Sequence, residues 1–153
     1  MQLDRYDFIE GPGNTFEFYS FGPNGLIKKL VQYQLIDDKR NIYNLAFGDW
    51  DATKNRINDK AISNNSDREK ILATVAATTI VFTTRHPDAI IIAVGSTAVR
   101  NRLYQMNIAI FLEEIQQLLH IEGYINGKWE VFRKSRNYNG FLATTKSKKL
   151  NFD

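Results

Sequence analysis

The sequence predicts an α+β protein: a curved antiparallel meander sheet with two packed helices, one internal strand between them, and a C-terminal hairpin. Three observations carry that prediction. Apolar residues alternate through the N-terminal third between turn-forming segments, two later stretches repeat apolar residues at helical spacing around the all-apolar run Ala89–Val94, and Asn126-Gly127 joins two short apolar runs.

The elements follow in order. Thr15–Phe21 (TFEFYSF) alternates as a strand must when its successive side chains face opposite sides of a sheet. Gly22–Gly25 (GPNG) is a turn, and Leu26–Ile36 is long enough for an extended, twisted strand, so the two make a hairpin. Asp37–Asn41 (DDKRN) turns the chain again, Ile42–Asp49 returns as a third strand, and Tyr6–Ile9 is expected to add an edge strand. Trp50–Asn65 is polar and aperiodic, a long loop of the kind that carries function or moves. Ser66 and Glu69 stand at capping-box spacing, which starts a helix. Ile71, Leu72, Val75, Thr79 and Phe82 continue it, and Pro87 must end it. Ala89–Val94 has no polar member and reads as a strand covered on both faces. A second helix is predicted over Thr97–Leu119, burying Val99, Leu103, Met106, Ile110, Phe111, Ile115 and Leu118. At Asn126-Gly127 both residues tolerate positive φ, as a two-residue hairpin turn requires.

Composition bounds the chemistry. A chain of 153 residues with 43% hydrophobic and 24% charged residues is expected to form one domain, residues 1–153, with a real core. It holds no cysteine and two histidines, which removes disulfides, thiol nucleophiles and cysteine zinc sites. No apolar run is long enough to span a membrane, and the opening MQLDRYDFIEGPG lacks the basic-then-apolar pattern of a secretory signal, so a cytoplasmic protein with no membrane partner is expected. The net charge of +3 is uneven: residues 1–132 carry 14 Lys and Arg against 16 Asp and Glu, whereas Arg133, Lys134, Arg136, Lys146, Lys148 and Lys149 face only Asp153. Residues 143–153 read as a flexible basic tail. Such a cluster attracts polyanions or simply keeps a chain soluble.

Phe47–Asp51 (FGDWD), Ser63–Ala76 (SNNSDREKILATVA), Gly95–Ile108 (GSTAVRNRLYQMNI), the NGKWEVF hairpin and Tyr138–Leu142 (YNGFL) together resemble an uncharacterised bacterial family of domains of unknown function, of about this length. The resemblance spans most of the chain. It implies a single α+β domain and brings no catalytic residue or substrate.

The candidate sites are few. Gly95-Ser96-Thr97 links the internal strand to the second helix, and the free amides and positive dipole at a helix start can hold an anion. Arg100 and Arg102 oppose that dipole by about 0.3–1 kcal/mol each, so a negative partner, either an acidic neighbour or a ligand phosphate, is expected nearby. Capping by Ser96 explains the same residues without a ligand. The segment lacks the Gly-Lys ending of a nucleotide phosphate loop and the three glycines of a dinucleotide loop. Asp49, Asp51 and Asp59 have metal-like spacing, but Lys54 and Lys60 stand where a calcium loop needs Gly and Glu, and neither a metal site nor a cofactor is expected. His86 and His120 lie at element ends with no nucleophile motif beside them.

Phe16, Phe18, Tyr19, Phe21, Tyr33 and Tyr43, interleaved with Lys28, Lys29, Lys39 and Arg40, are the residue types that stack bases and track a phosphate backbone. Lys28, Lys29, Tyr33, Arg133, Lys134 and Arg136 are the expected nucleic-acid contacts. The leading functional expectation is a non-enzymatic nucleic-acid-binding or regulatory module. The alternatives are an enzyme acting on a phosphate substrate, such as an endoribonuclease toxin of a toxin-antitoxin pair, and a protein–protein interaction module. Nucleic acid or another small protein is the expected partner, and a homodimer is compatible with the chain.

Overall fold

A computed structural model describes residues 4–58, 65–95 and 97–148. They form an α+β fold of nine strands and three helices. In chain order these are β1 (Ile9–Gly11), β2 (Thr15–Gly22), β3 (Gly25–Asp37), β4 (Ile42–Asp51), β5 (Arg56–Asn58), α1 (Arg68–Arg85), β6 (Ile90–Ala93), α2 (Ala98–Ile110), α3 (Leu112–Gln116), β7 (Leu119–Ile125), β8 (Lys128–Val131) and β9 (Gly140–Thr145). One open sheet runs β1-β2-β3-β4-β6-β9-β7-β8, with β5 added to β4. Every pairing is antiparallel except β4 with β6, which are joined by the α1 crossover. No helix among the described residues is long and apolar enough to cross a membrane.

The predicted meander is present and its register explains its burial. Phe16 pairs with Val31 and Val31 with Phe47, so their side chains share one face of the sheet, and α1 packs on that face. Tyr33 is its centre: 1% exposed, stacked on Phe82 at 4.4 Å and 7°, and edge-on to Phe16 at 5.9 Å. Its hydroxyl lies 2.9 Å from Thr78 Oγ1 and 2.8 Å from Thr79 Oγ1. Burial raises the Tyr33 phenol well above its ordinary value and keeps it neutral. The β-branched residues of α1 fit because Thr74, Thr78, Thr79 and Thr83 return their hydroxyls to helix carbonyls three or four residues back. A second cluster, with Ile115, Leu119, Ile121, Phe132, Tyr138 and Phe141, lies under α2 and α3. The turn at Asn126 (φ 53°) and Gly127 (φ 77°) has positive φ at both residues, as the hairpin requires.

Several expectations need correction. The edge strand is Ile9–Gly11, while Tyr6 packs against the core. The predicted loop contains β5, which forms because the end of β4 offers it an edge. The Ser66–Glu69 capping box does not form: Ser66 has φ 60°, and Asp67 takes the N-cap position without a side-chain cap bond. The Asp67 carboxylate instead accepts bonds from the Tyr6 and Ser20 hydroxyls. The helix predicted over Thr97–Leu119 breaks after Ile110, restarts as α3, and gives way to β7 at Leu119, because β9 offers Leu119–Tyr124 a pairing partner. Val99, Met106, Ile110 and Leu118 are 52%, 51%, 53% and 42% exposed. Of the predicted stripe, Phe111 and Ile115 pack in the second cluster, together with Tyr104 and Ile108, which the stripe omits. Of the stretch read as a basic tail, Ala143–Thr145 belongs to β9, between β6 and β7 in the sheet, and residues 149–153 lie outside the described ones.

Phe82→Ala removes the ring on which Tyr33 stacks, and should lower unfolding free energy by about 3–5 kcal/mol in urea denaturation. A second expectation concerns acid. Both Glu10 carboxylate oxygens bond the Arg85 guanidinium, joining β1 to the C-terminal end of α1. That contact holds the Glu10 carboxyl below its ordinary 4.5. A carboxylate depressed in the folded state stabilises above its unfolded value and loses that contribution as pH falls through the folded one. Glu10→Gln should therefore flatten the acid limb of the stability–pH curve below about pH 4.5, measured by thermal melts across pH.

Candidate ligand-binding cleft

The geometry of the cleft begins with β4. Its inner edge pairs with β3 from Ile42 to Asp49, but its outer edge pairs with two different strands. β6 takes Ile42–Asn44 in parallel, and β5 takes Asp49–Asp51 in antiparallel. Between them, residues 45–48 face no second strand among the described residues. Backbone groups left there need other partners, and the Phe47 carbonyl accepts from Arg100 Nη2 at 3.4 Å. The Arg100 guanidinium also lies 5.7 Å from the centroid of the Phe47 ring. Because β4 and β6 are parallel, α1 and α2 both begin beyond their carboxyl ends, the place where ligands enter parallel α/β sheets.

A cleft of 660 Å³ opens there. Asp67, Lys70 and Leu72 of the α1 start form one wall, Lys29, Phe47 and Gly48 the floor, and α2 the other wall. Leu103, Met106 and Ile110, predicted as core, line this wall, which accounts for the exposure of Met106 and Ile110. Beneath the cleft is a smaller apolar cavity of 110 Å³. Phe47, Leu72, Tyr104, Asn107 and Phe111 border both spaces.

Two elements bring three buried polar atoms without a hydrogen-bond partner among the described residues to this cleft: Asp67 Oδ1 before α1, and Arg100 Nε and Asn107 Oδ1 two turns apart on α2. Each such atom costs roughly 1–3 kcal/mol, and a native fold keeps one for a reason. Asn107 is 6% exposed, and its amide nitrogen donates to the Leu103 carbonyl at 2.8 Å, leaving the oxygen facing the cleft unmatched. Around Asp67 the network is tight: Asn65 Nδ2 donates to Ser20 Oγ at 3.0 Å, and burial with the Asp67 bond holds the Tyr6 phenol above its ordinary value. Lys29, 5% exposed, is ion-paired with Asp49.

The expected anion site is divided by this geometry. Gly95 N–H donates to Asn101 Oδ1 at 2.6 Å, and a Cβ on Gly95 would sit 2.6 Å from the Asn101 nitrogen, so glycine is required by the close approach of α2. Thr97 is the N-cap: its hydroxyl accepts from Arg100 N–H at 3.2 Å. The cap expected at Ser96 thus falls on its neighbour, and Ser96 lies outside the described residues. Arg100 lines the cleft, whereas Arg102 is exposed away from it. Neither arginine forms an ion pair among the described residues, and the first turn of α2 has no acidic residue.

The expected nucleic-acid contacts are divided too. Lys29 and Tyr33 point to the helix-covered face, with Phe16 and Phe18, because strand alternation puts them there; Tyr33 is a core residue and Lys29 a buried cation. Lys28 emerges on the opposite face, bonded to Glu17 at 3.1 Å and 5.8 Å from the Trp50 ring, beside exposed Tyr19 and Phe21. Arg136 pairs with Glu130 at 3.4 Å, while Arg133 and Lys134 are exposed after β8. Asp51 closes its own turn through Thr53 and Lys54 amides, and Asp59 lies outside the described residues. His86 packs on Phe82 at 4.6 Å, and His120 Nε2 lies 2.7 Å from Glu122. Neither histidine lines the cleft. Sequence reasoning missed Asp67 and Asn107; the available signal for Asn107 was a weak helix former among apolar helix positions.

If Asn107 is kept for a ligand, Asn107→Leu should leave the unliganded protein as stable or about 1 kcal/mol more stable, read from chemical denaturation. A loss of stability would make the side chain structural.

No curated protein and no solved structure matches the chain. A family model described as a family of unknown function (DUF6934) matches residues 2–146, and the chain belongs to that family.

Proposed function

We propose that the protein is a regulatory binding module whose ligand is a small phosphate-bearing molecule held between α1 and α2. One observation carries the reading: three separate polar atoms, on Asp67, Arg100 and Asn107, are buried without partners among the described residues around a single cleft. The charge distribution supports an anion at the α2 end. Arg100 and the positive end of α2 meet no carboxylate in the first helical turn, whereas α1 begins with Asp67 and Glu69. Asp67 Oδ1 and Asn107 Oδ1 are acceptors, and suit N–H or O–H groups elsewhere on the same ligand.

Inorganic phosphate, pyrophosphate, ATP and coenzyme A, titrated by calorimetry and by thermal shift, test this. At least one should bind and raise the melting temperature. Arg100→Gln should weaken it by about 10- to 100-fold, the loss of a charge-assisted contact. Absence of binding by all four overturns the proposal.

A second reading has its own observation. Tyr19 and Phe21 are exposed beside Lys28 and Trp50 on the sheet face opposite the helices, the mixture that stacks single-stranded bases. Single-stranded RNA should then bind with an affinity lowered by salt and by the double change Tyr19→Ala, Lys28→Glu, but not by Arg100→Gln. Degradation of the RNA in that assay, in place of simple retention, would favour the endoribonuclease alternative.

A further inference from the structure

We infer that the ligand of the cleft carries a short apolar tail, separated from its phosphate by a spacer of about two helical turns, and that the tail fills the cavity beneath Asn107. This rests on the cleft being the ligand site. The cavity of 110 Å³ is walled by Val75 and Ala76 of α1, Ile108 of α2, and Ile91 and Phe141 of the sheet. An apolar space of this kind takes apolar guests: an enclosed one of about 150 Å³ holds benzene, so this one suits about four carbon atoms.

The spacer follows from helix geometry. Arg100 and Asn107 are seven residues apart on α2 and both line the cleft, so the cation at its mouth and the acceptor at its neck are separated by about 10 Å along the axis. Between them Leu103 supplies an apolar wall. Asn107, with its unmatched oxygen, is one of the five residues that border both spaces and so flanks a tail that reaches from one into the other. A hydrogen-bond donor placed just before the tail would satisfy that oxygen. The ligand class is therefore an extended phosphate ester with an N–H or O–H near its far end and a terminal group of about four carbons.

n-Butyl, n-octyl and n-dodecyl phosphate, kept below their micelle concentrations, are simple probes of head, spacer and tail. A buried methylene strengthens binding about fourfold. Wild-type protein should bind dodecyl phosphate on the order of 100-fold more tightly than octyl phosphate, as the last carbons enter the cavity. Ala76→Leu fills the cavity from α1 and should abolish that increment while leaving butyl phosphate and pyrophosphate binding unchanged. Ala93→Val, which fills it from the sheet, gives the same comparison if the first variant does not fold. Equal affinity for octyl and dodecyl chains in wild type, or an increment that survives in the filled variant, overturns the tail while the phosphate site stands. Failure of every phosphate, pyrophosphate included, overturns both.

Discussion

The outer edge of β4 is shared between strands that cannot both follow it, and the rest of the architecture depends on that division. A strand edge carries backbone donors and acceptors that must be matched. β6 matches Ile42–Asn44, the Arg100 side chain matches Phe47, and β5 matches Asp49–Asp51. Had β6 continued alongside β4, the sheet would have closed over residues 45–48. Because it leaves, the helices that follow the two strands stand on either side of a gap, and the floor of that gap is strand backbone with the Phe47 ring.

Two apolar clusters follow from the same division. The first joins the meander to α1 through Tyr33 and Phe82, and the second joins α2 and α3 to β7 and β9. Ala143 contributes to both, and the sheet runs continuously beneath them. The space where the clusters meet is only partly filled, which leaves the small cavity and places Asn107 at its border. Tight packing is the rule in protein interiors, and voids or unmatched polar atoms there each reduce stability. Their coincidence at one place, flanked by a cation and a helix start, is the pattern expected where structure is held open for a ligand. The cost is offset by the dense packing of α1 on the meander, where the hydroxyls of Thr78, Thr79 and Thr83 and the Tyr33 phenol are matched.

Local patterns in the chain determined much of the fold. Alternation in Thr15–Phe21 and Leu26–Ile36 specified a hairpin because period-two burial has few other solutions, and Asn126-Gly127 specified the turn of the C-terminal hairpin through positive φ. Pro87 set the end of α1, and the all-apolar Ala89–Val94 marked a strand with neighbours on both sides, which β4 and β9 supply. The candidate site was legible in part: Arg100 was identified from its place near a helix start, before any surroundings were known.

What only the tertiary structure decided is orientation and company. The α2 segment offers two apolar stripes, Val99-Leu103-Met106-Ile110 and Tyr104-Ile108-Phe111, of which the predicted set took the whole first and only Phe111 of the second; the second faces the core because β7 and β9 lie beneath it. Lys29 and Tyr33 are buried and Lys28 is not, a difference set by the register of β3 against its neighbours and by the face α1 covers. Leu119 leaves the helix because the strand at residues 140–145 reaches it, pairing it with Thr145, 26 residues away and outside any local window. Composition and spacing thus determined the meander, α1, the internal strand and the last hairpin turn, whose signals are local, while β5, the start of β7 and β9 depend on distant partners. The cleft belongs to the tertiary structure, since it arises from strands that part and from side chains of Asp67, Arg100 and Asn107 that only folding brings together.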